Sequence, residues 1–342
     1  MKKILLIATG GTIACSLDEN GLSPKYSFED LLDHVKEVRE IADINGIHLM
    51  SIDSTNMNPV FWKDIAKTIK DNYSEFDGFV VTHGTDTMAY TSAGLSYMLN
   101  GIRKPVVLTG AQFSIEEFGT DAKQNLFDAI KFATENICGV FVAFDGKIIN
   151  GTRAMKTKTR SLDAFESVNY PYIAKVKYGK VYYNEQIKDK FKKSQARGLE
   201  YKDDIDTNVM LIKLFPGINP SIFDYIKENY KGVIIESFGI GGIPFENHDI
   251  TSKVVELVDA GICVAVTTQC TQEGVDLSIY EVGRKLIDKN IIFCKDMSRE
   301  AIVSKLMWAL GNAKTNEEVK EIMNEPVMDD IDSEVHTFSV DF

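Results

Sequence analysis

Continuous apolar runs alternate with amphipathic segments along the chain, and this alternation constrains the fold more than any other feature of the sequence. Runs without a regular polar position are typical of strands that are covered on both faces. Strands that alternate with helices in this way predict an α/β fold with a doubly wound, mostly parallel sheet. The runs of the first half, rich in Val, Ile and Phe, are 4–8, 47–52, 78–83, 105–110 and 139–144.

Helix start signals lie between these runs. Ser27 precedes "FEDLLDHVKEV" and has Asp30 three residues later, at the acidic position of a capping box. Asn58 is followed by Pro59, an N-cap residue with a proline suited to the first helical position. Further helices are predicted at 87–100 and 121–136.

A change of composition divides the chain in two. The segment 186–207 is charged and poor in large apolar residues, which predicts a linker. We therefore expect a larger N-terminal α/β domain over 1–185 and a smaller C-terminal α/β domain over 208–342, as the length of 342 residues also suggests. The apolar runs of the second half are 208–215, 232–238, 262–268 and 291–294.

Charge and composition argue against several functional classes. The formal net charge of -12 makes nucleic acid an unfavourable partner. The five cysteines form no CxxC pair and the five histidines no HExxH pattern, so no metal site is predicted and a reducing compartment is favoured. No apolar run approaches the ~20 residues of a membrane span. The run "ILLIA" is also shorter than the apolar core of an export signal.

Side chains suited to chemistry follow each apolar run of the first half. Because the carboxyl ends of parallel strands meet at one edge of a sheet, and open α/β sheets bind ligands there, we expect these side chains to lie together. The segments are Gly10-Gly11-Thr12, Asp53-Ser54-Thr55, His83-Gly84-Thr85-Asp86-Thr87, Gly110-Ala111-Gln112 and the loop 150–160 with Arg153, Lys156 and Lys158.

The glycine turn in "ATGGTIAC" is best interpreted as a nucleophile turn. The chain lacks the GxxxxGK[ST] of a phosphate loop, and the turn lacks the GxGxxG of a dinucleotide site. Paired glycines permit a tight turn whose backbone N–H groups can stabilise an oxyanion. Thr12 would be the nucleophile, but a hydroxyl needs a nearby base. A Thr85–Lys156–Asp86 relay of hydroxyl, base and orienting carboxylate meets that need, provided that the lysine is neutral when it acts.

Each of these residues also has a structural interpretation that the sequence leaves open. Threonine and serine after a strand often cap turns, which would explain Thr12, Ser54 and Thr55. Asp86 suits a helix N-cap. Lys156 would then be a solvated loop lysine, His83 a packed or hydrogen-bonded core histidine, and Tyr26 a surface aromatic.

The segments "ATGGTIA" and "DGFVVTHGTDTMAYTSAGLSYML" resemble the two signature segments of the bacterial-type L-asparaginase family. The likeness extends through "IDSTNM", "KPVVLTGAQ", "NGTRAMKTKTRSLDAF" and "GIGGIP" and covers nearly the whole chain. It points to the cytoplasmic, type I branch. The resemblance implies a two-domain α/β enzyme that hydrolyses L-asparagine to L-aspartate and ammonia without a cofactor. It also implies a homodimer or homotetramer with sites at the contacts between subunits.

The same resemblance implies roles for individual residues. Thr12 corresponds to the primary nucleophile, with Thr85, Asp86 and Lys156 as the supporting triad. Ser54 would hold the substrate α-carboxylate, Asp86 would receive the α-ammonium, and the Ala111 backbone would contact the side-chain amide. The complete substrate-binding set implied is Gly11, Ser54, Thr55, Gly84, Thr85, Asp86 and Ala111.

Two regions depart from the family pattern. The loop after the first strand has Tyr26 as its only tyrosine, and Leu22 stands where related enzymes often have the tyrosine that reaches the nucleophile. Tyr26 is therefore the predicted catalytic tyrosine. At three positions that form a regulatory asparagine site in some type I enzymes, this chain has Met155, Glu236 and Cys270. Only the cysteine is kept, which argues against such a site.

Three other functions remain open at this point. A glutaminase or an enzyme of broad specificity is one, because one methylene in a pocket changes selectivity only modestly. An amidotransferase subunit that supplies ammonia to misacylated tRNA is the second. We expect neither its extra N-terminal domain nor its tRNA contacts here, because the first predicted strand begins at residue 3 or 4 and the chain is acidic. The third is a non-catalytic amino-acid-binding protein.

Overall fold

The chain divides into two compact units, Met1–Asp203 and Asp204–Phe342. The computed structural model describes residues 1–18, 21–24, 26–192, 198–276 and 289–332, with the backbone alone over 15–18 and 21–24. The division falls inside the segment 186–207 that the composition marks as a linker. Parts of that segment belong to the first unit, since the Cys138 N–H donates to the Phe191 carbonyl at 2.8 Å. Glu200–Tyr201 also pairs with Leu99–Asn100.

The first unit contains the larger set of strands and helices. Its strands are β1 Lys2–Gly10, β2 Cys15–Asp18, β3 Gly21–Pro24, β4 Ala42–Ile52, β5 Gly78–Thr82, β6 Leu99–Asn100, β7 Pro105–Thr109, β8 Gly139–Phe144, β9 Lys147–Asn150, β10 Ala154–Lys156, β11 Phe165–Ser167, β12 Ala174–Lys177, β13 Lys180–Tyr183 and β14 Glu200–Tyr201. Its helices are α1 Phe28–Asp33, α2 Val38–Ile41, α3 Pro59–Asp71, α4 Met88–Met98 and α5 Ala122–Ala133, with 3-10 turns at Thr12–Ala14, Ser54–Asn56 and Lys188–Phe191.

An eight-stranded sheet in the order β13-β12-β9-β8-β7-β5-β1-β4 forms the core of this unit. The strands β4, β1, β5, β7 and β8 pair in parallel with one another, as predicted. The strands β9, β12 and β13 extend the sheet in antiparallel fashion. Every residue of β5, β7 and β8 is buried, which explains their unbroken apolar sequences. The predicted doubly wound, mostly parallel α/β fold is confirmed.

The helix start signals act as predicted. Ser27 and Asp30 form both hydrogen bonds of a capping box at the start of α1. The Asn58 side chain accepts from the Val60 N–H at 2.9 Å, and Pro59 is the first residue of α3. These caps satisfy backbone N–H groups that have no partner within the helix.

The second unit is a smaller parallel sheet with helices. Its described strands are β15 Val209–Lys213, β16 Gly232–Ser237, β17 Cys263–Thr268 and β18 Ile291–Phe293, paired in that order. Its described helices are α6 Ser221–Asn229, α7 Ile250–Asp259, α8 Arg299–Asn312 and α9 Asn316–Asn324. The sheet's inward residues, such as Val233 and Val264, pack against apolar residues of α6 and α7. None of the helices in the described part of the chain has the length and apolar character needed to cross a membrane.

Asp128, on α5, is a buried carboxyl group in the first unit. Its side chain is 1% exposed, and Gln124 Nε2 donates to its Oδ1 at 2.7 Å. Its Oδ2 accepts no hydrogen bond from any described residue. Burial raises the pKa of Asp128 to about 7, against the lowering effect of the Gln124 hydrogen bond and with a smaller contribution from the nearby Asp145 charge. The folded state therefore favours the protonated form of this carboxyl.

We expect Asp128→Asn to stabilise the protein increasingly as the pH rises from about 4 through about 7. The pKa of Asp128 is higher in the folded protein than in the unfolded chain. Its protonated form therefore makes its full contribution to the free energy of unfolding below about pH 4. It is lost as the pH rises through about 7. Asparagine keeps an acceptor for Gln124 and carries no charge, so urea unfolding at pH 8.5 should show a gain of about 1–3 kcal/mol.

The same measurement near pH 5 should show a much smaller difference between Asp128→Asn and the unmodified protein. Asp43→Asn, at an exposed position of β4, is the matched control and should change stability little at either pH. An equal gain for Asp128→Asn at both pH values would contradict a charge-based explanation.

Candidate active site

The turns that follow β1, β4 and β5 pack against one another through glycine. Gly10 and Gly11 have φ angles of 106° and 84°, in the left-handed region that favours glycine. A Cβ on Gly11 would lie 2.4 Å from the Gly84 nitrogen, and a Cβ on Gly84 would lie 2.6 Å from Ser54 Oγ. Side chains at either position would force these turns apart. The glycines therefore bring Thr12 to the edge of the sheet where β4 and β5 end.

Lys156, Thr85 and Asp86 form a connected array at this edge. Lys156 Nζ donates to Thr85 Oγ1 at 2.7 Å and to Asp86 Oδ1 at 2.8 Å. Thr85 is buried and the Lys156 side chain is 16% exposed, whereas the Asp86 side chain is 56% exposed. The structure thus places together the three residues of the predicted relay, with Asp86 on the solvent side.

Gln112, at the end of β7, is a further member of this array. The Thr85 hydroxyl donates to Gln112 Oε1 at 3.3 Å, and Gln112 Nε2 donates to the Ser161 carbonyl at 3.2 Å. Gln112 was not among the predicted site residues. Its position after the fourth apolar run was the only sequence signal, and the same signal is shared by many residues that play no part in the site.

Ser54 lies within the site, and Thr55 serves the turn that holds it. Ser54 is buried, its Oγ accepts from the Asp86 N–H at 3.3 Å, and its carbonyl accepts from the Thr87 hydroxyl at 2.7 Å. Thr55 is exposed, and both its N–H and its hydroxyl donate to Asp53 Oδ1 at 2.9 Å. The contacts of Thr55 are those of a turn cap.

The backbone around Gly11 and Ala111 is fixed by hydrogen bonds. The Gly11 N–H donates to the Ile52 carbonyl at 3.3 Å and so links the turn to β4. Ala111 is buried. The Gly110 carbonyl before it accepts from Asn125 Nδ2 at 3.0 Å, and the Gln112 N–H after it donates to the Asp121 carboxylate.

Tyr26 is attached to the turn that carries Thr12. Its N–H donates to the Ala14 carbonyl at 3.1 Å, and Ala14 ends the 3-10 turn that Thr12 begins. The Tyr26 ring packs edge-on against His34 with 6.1 Å between centroids, and its hydroxyl is buried. Leu22, at the position where related enzymes often have the tyrosine, lies in the β2–β3 hairpin, where only the backbone is described.

Comparison with known proteins assigns the chain to a family. Residues 3–189 match the family described as "Asparaginase, N-terminal", and residues 208–323 match the "Glutaminase/Asparaginase C-terminal domain". The chain belongs to the asparaginase family.

Relatives of two kinds match nearly the whole of this chain. An L-asparaginase of Thermococcus kodakarensis is 38% identical over 96% of this chain and 99% of the relative. A subunit of the glutamyl-tRNA(Gln) amidotransferase of Pyrococcus abyssi is 37% identical over 94% of this chain and 75% of the relative.

Solved structures agree with this family assignment. The T. kodakarensis L-asparaginase superimposes with a TM-score of 0.91 over 97% of this chain and 100% of that one. L-asparaginase I of Vibrio cholerae, 27% identical, superimposes with a TM-score of 0.87 over 97% of this chain and 99% of that one. The chain is an amidohydrolase of the asparaginase family.

Other polar residues at the strand ends of this asparaginase-family chain serve the fold. His83 is fully buried, its Nδ1 donates to the Gly84 carbonyl at 2.7 Å, and its Nε2 accepts from the Thr91 hydroxyl at 2.9 Å. Burial lowers the pKa of His83 to about 4, so its ring is neutral. Arg153 is buried with its guanidinium 5.4 Å from the centre of the Tyr170 ring, and Lys158 pairs with Asp163.

The structure shows the surroundings of Met155, Glu236 and Cys270, the three positions that were compared with a regulatory asparagine site. Met155 is buried in β10 of the first unit. In the second unit, the buried Glu236 carboxylate is paired with Arg299, and Cys270 is exposed. Across the described side chains, no group of three or more His, Cys, Asp or Glu is arranged to hold a metal ion.

Proposed function

We propose that the protein is an L-asparaginase that hydrolyses L-asparagine to L-aspartate and ammonia. The observation that carries this proposal is the hydrogen-bonded array of Lys156, Thr85 and Asp86 beside the glycine turn of Thr12. A hydroxyl, a lysine and a carboxylate at one sheet edge suit amide hydrolysis through a covalent intermediate. The similarity to L-asparaginases supports asparagine as the substrate.

In the first half of the reaction, the Thr12 hydroxyl attacks the side-chain amide carbon. A bond forms between Thr12 Oγ and that carbon, and the carbon–nitrogen bond breaks. The leaving nitrogen takes up the proton that Thr12 gives away and departs as ammonia. In the second half, a water molecule attacks the ester carbon, and Thr12 regains its proton as aspartate is released.

Lys156 and Thr85 move the protons in both halves. Lys156 contacts the Thr85 hydroxyl directly, so a proton can pass between them once the O–H bond of Thr85 turns toward Nζ. Lys156 accepts the proton of the attacking hydroxyl or water through Thr85 and returns it to the leaving group. Asp86 keeps the amine in place by its second contact with Nζ.

Substrate orientation depends on Asp86 and Ser54. The exposed Asp86 carboxylate is positioned to receive the α-ammonium. Ser54 Oγ accepts the Asp86 N–H and keeps its own proton for donation to the α-carboxylate. The Asp86 N–H and Ser54 Oγ are 3.3 Å apart, so a single α-amino acid can bridge the two side chains.

A kinetic comparison of L-asparagine and L-glutamine tests this proposal. We expect kcat/KM to favour asparagine by about 10-fold or more, because the pocket must accommodate one additional methylene of glutamine. The measurement is coupled detection of ammonia over a wide substrate range. Absence of release from asparagine, or a preference for glutamine, would contradict the assignment.

A second candidate is the glutamine-hydrolysing component of a tRNA-dependent amidotransferase. The similarity to a subunit of glutamyl-tRNA(Gln) amidotransferase favours it, whereas the net charge of -12 disfavours tRNA contact. Hydrolysis of asparagine by the isolated protein, unaffected by added tRNA, supports the asparaginase. Assembly as a homodimer or homotetramer stays a prediction, which light scattering would test.

A further inference from the structure

We propose that Gln112 is a positioning residue that holds the Thr85 hydroxyl oxygen beside Lys156, and that Asp121 anchors Gln112 for this task. The inference rests on the proposed role of the Thr85–Lys156 pair in amide hydrolysis. It assigns a function to Gln112 and Asp121, neither of which belongs to the predicted relay.

The orientation of the Gln112 side chain is determined by its two partners. Nε2 of the amide can only donate and the Ser161 carbonyl can only accept, so the contact of 3.2 Å between them places Nε2 toward Ser161. The amide oxygen then faces Thr85, 3.3 Å from Oγ1. Gln112 thus presents an acceptor, and never a donor, to the Thr85 hydroxyl.

This acceptor determines where the single proton of the Thr85 hydroxyl points. A hydroxyl carries one proton and two lone pairs, and it rotates toward the available acceptor. When the Thr85 hydroxyl donates its proton to Gln112 Oε1, a lone pair of Thr85 Oγ1 faces Lys156 Nζ at 2.7 Å. The buried position of Thr85 leaves little water to compete for the proton. Gln112 therefore holds Thr85 Oγ1 in contact with Lys156 in the resting site, and only the O–H bond has to turn toward Nζ when Lys156 acts as the base.

Asp121 fixes the backbone from which Gln112 extends. Its buried carboxylate accepts the Gln112 N–H at 3.0 Å and the Phe113 N–H at 3.1 Å. It also accepts from Asn125 Nδ2 at 3.0 Å, and the same Nδ2 donates to the Gly110 carbonyl at 3.0 Å. One carboxylate and one amide, four residues apart at the start of α5, thus restrain the segment 110–113 on both sides of Ala111.

The test compares Gln112→Met with Gln112→Glu in the complete protein. Methionine has a similar length and a poor acceptor, whereas glutamate keeps an oxygen acceptor toward Thr85. Since a displacement of about 1 Å in a catalytic group can cost about 100-fold, we expect Gln112→Met to lower kcat about 10- to 100-fold with KM within about 3-fold. Gln112→Glu should retain several-fold more kcat than Gln112→Met.

The anchor is tested by Asp121→Asn alone and combined with Gln112→Met. If Asp121 acts through Gln112, the double variant should have nearly the same kcat as Gln112→Met. Multiplicative losses would overturn the anchoring role. Thermal unfolding of each variant separates loss of fold from loss of positioning.

All variants are assayed with whichever amide the unmodified protein hydrolyses faster. A preference for glutamine would therefore count against the proposed substrate and still test Gln112. Equal kcat for Gln112→Met and the unmodified protein, equal losses for the Met and Glu variants, or a raised KM with unchanged kcat would each overturn the positioning role. The last result would instead indicate direct contact with substrate.

Discussion

Replacing Thr12 with alanine is expected to lower kcat for L-asparagine by about 1,000-fold or more, because no other group would supply the attacking oxygen. The site around it should persist. Gly11 and Gly84 determine the close approach of the turns, and Ala14 holds Tyr26 through its carbonyl, so none of these contacts uses the Thr12 hydroxyl. Ammonia release under saturating asparagine is the measurement, with thermal unfolding to verify the fold.

Two companion variants make the Thr12 result specific. Thr12→Ser keeps a hydroxyl and should retain much more activity than Thr12→Ala. Lys156→Met removes the proton acceptor, and its combination with Thr12→Ala should cost little more than Thr12→Ala alone, because the residues act as a unit. Turnover of Thr12→Ala close to that of the unmodified protein would remove Thr12 from the proposed mechanism.

The largest expected effect on stability concerns a buried ion pair in the second unit. Lys305, on α8, and Asp330 are both fully buried, with 2.8 Å between Nζ and Oδ2. Lys305 Nζ also donates to the Met323 carbonyl at 3.1 Å and the Glu325 carbonyl at 2.7 Å. Asp330 Oδ1 accepts from the Val327 N–H at 2.8 Å. This network fastens the segment after α9 to α8.

Lys305→Met should destabilise the second unit by about 3–5 kcal/mol, because it leaves the Asp330 charge buried without its cation. The free energy of unfolding from urea titration is the measurement. Lys305→Met combined with Asp330→Leu should recover a large part of the loss, since apolar pairs often replace buried ion pairs at little cost. Lys67→Met, which breaks the exposed pair with Asp71, is the matched control and should change stability little. A loss for Lys305→Met no greater than for Lys67→Met would contradict the role assigned to the network.

Much of the architecture is predictable because it depends on residues close together in the sequence. Unbroken apolar runs identify β5, β7 and β8, since a strand buried on both faces has no polar position to show. Capping depends on neighbouring residues alone, so Ser27 and Asn58 locate the starts of α1 and α3.

Features that depend on pairing between segments far apart in the chain are harder to predict from the sequence. Lys188–Phe191 and Glu200–Tyr201 lie in a charged stretch, and their attachment to the first unit depends on partners about fifty and a hundred residues earlier in the chain. Short strands such as β9, β12 and β13 have too few apolar residues to be predicted from the sequence pattern. Their place in the sheet depends on pairing with their neighbours.

The same distinction between local and long-range features applies to the candidate site. The sequence by itself determined which chemical groups stand at the carboxyl ends of the parallel strands, namely Thr12, Ser54, Thr85 and Asp86, because strand order and turn composition are local properties. Only the tertiary structure decided that Lys156 meets Thr85, that Gln112 presents its oxygen to the same hydroxyl, and that the Gly11 N–H is bound to β4. Those outcomes depend on side-chain rotamers and on contacts between segments far apart in the chain, which no local pattern encodes.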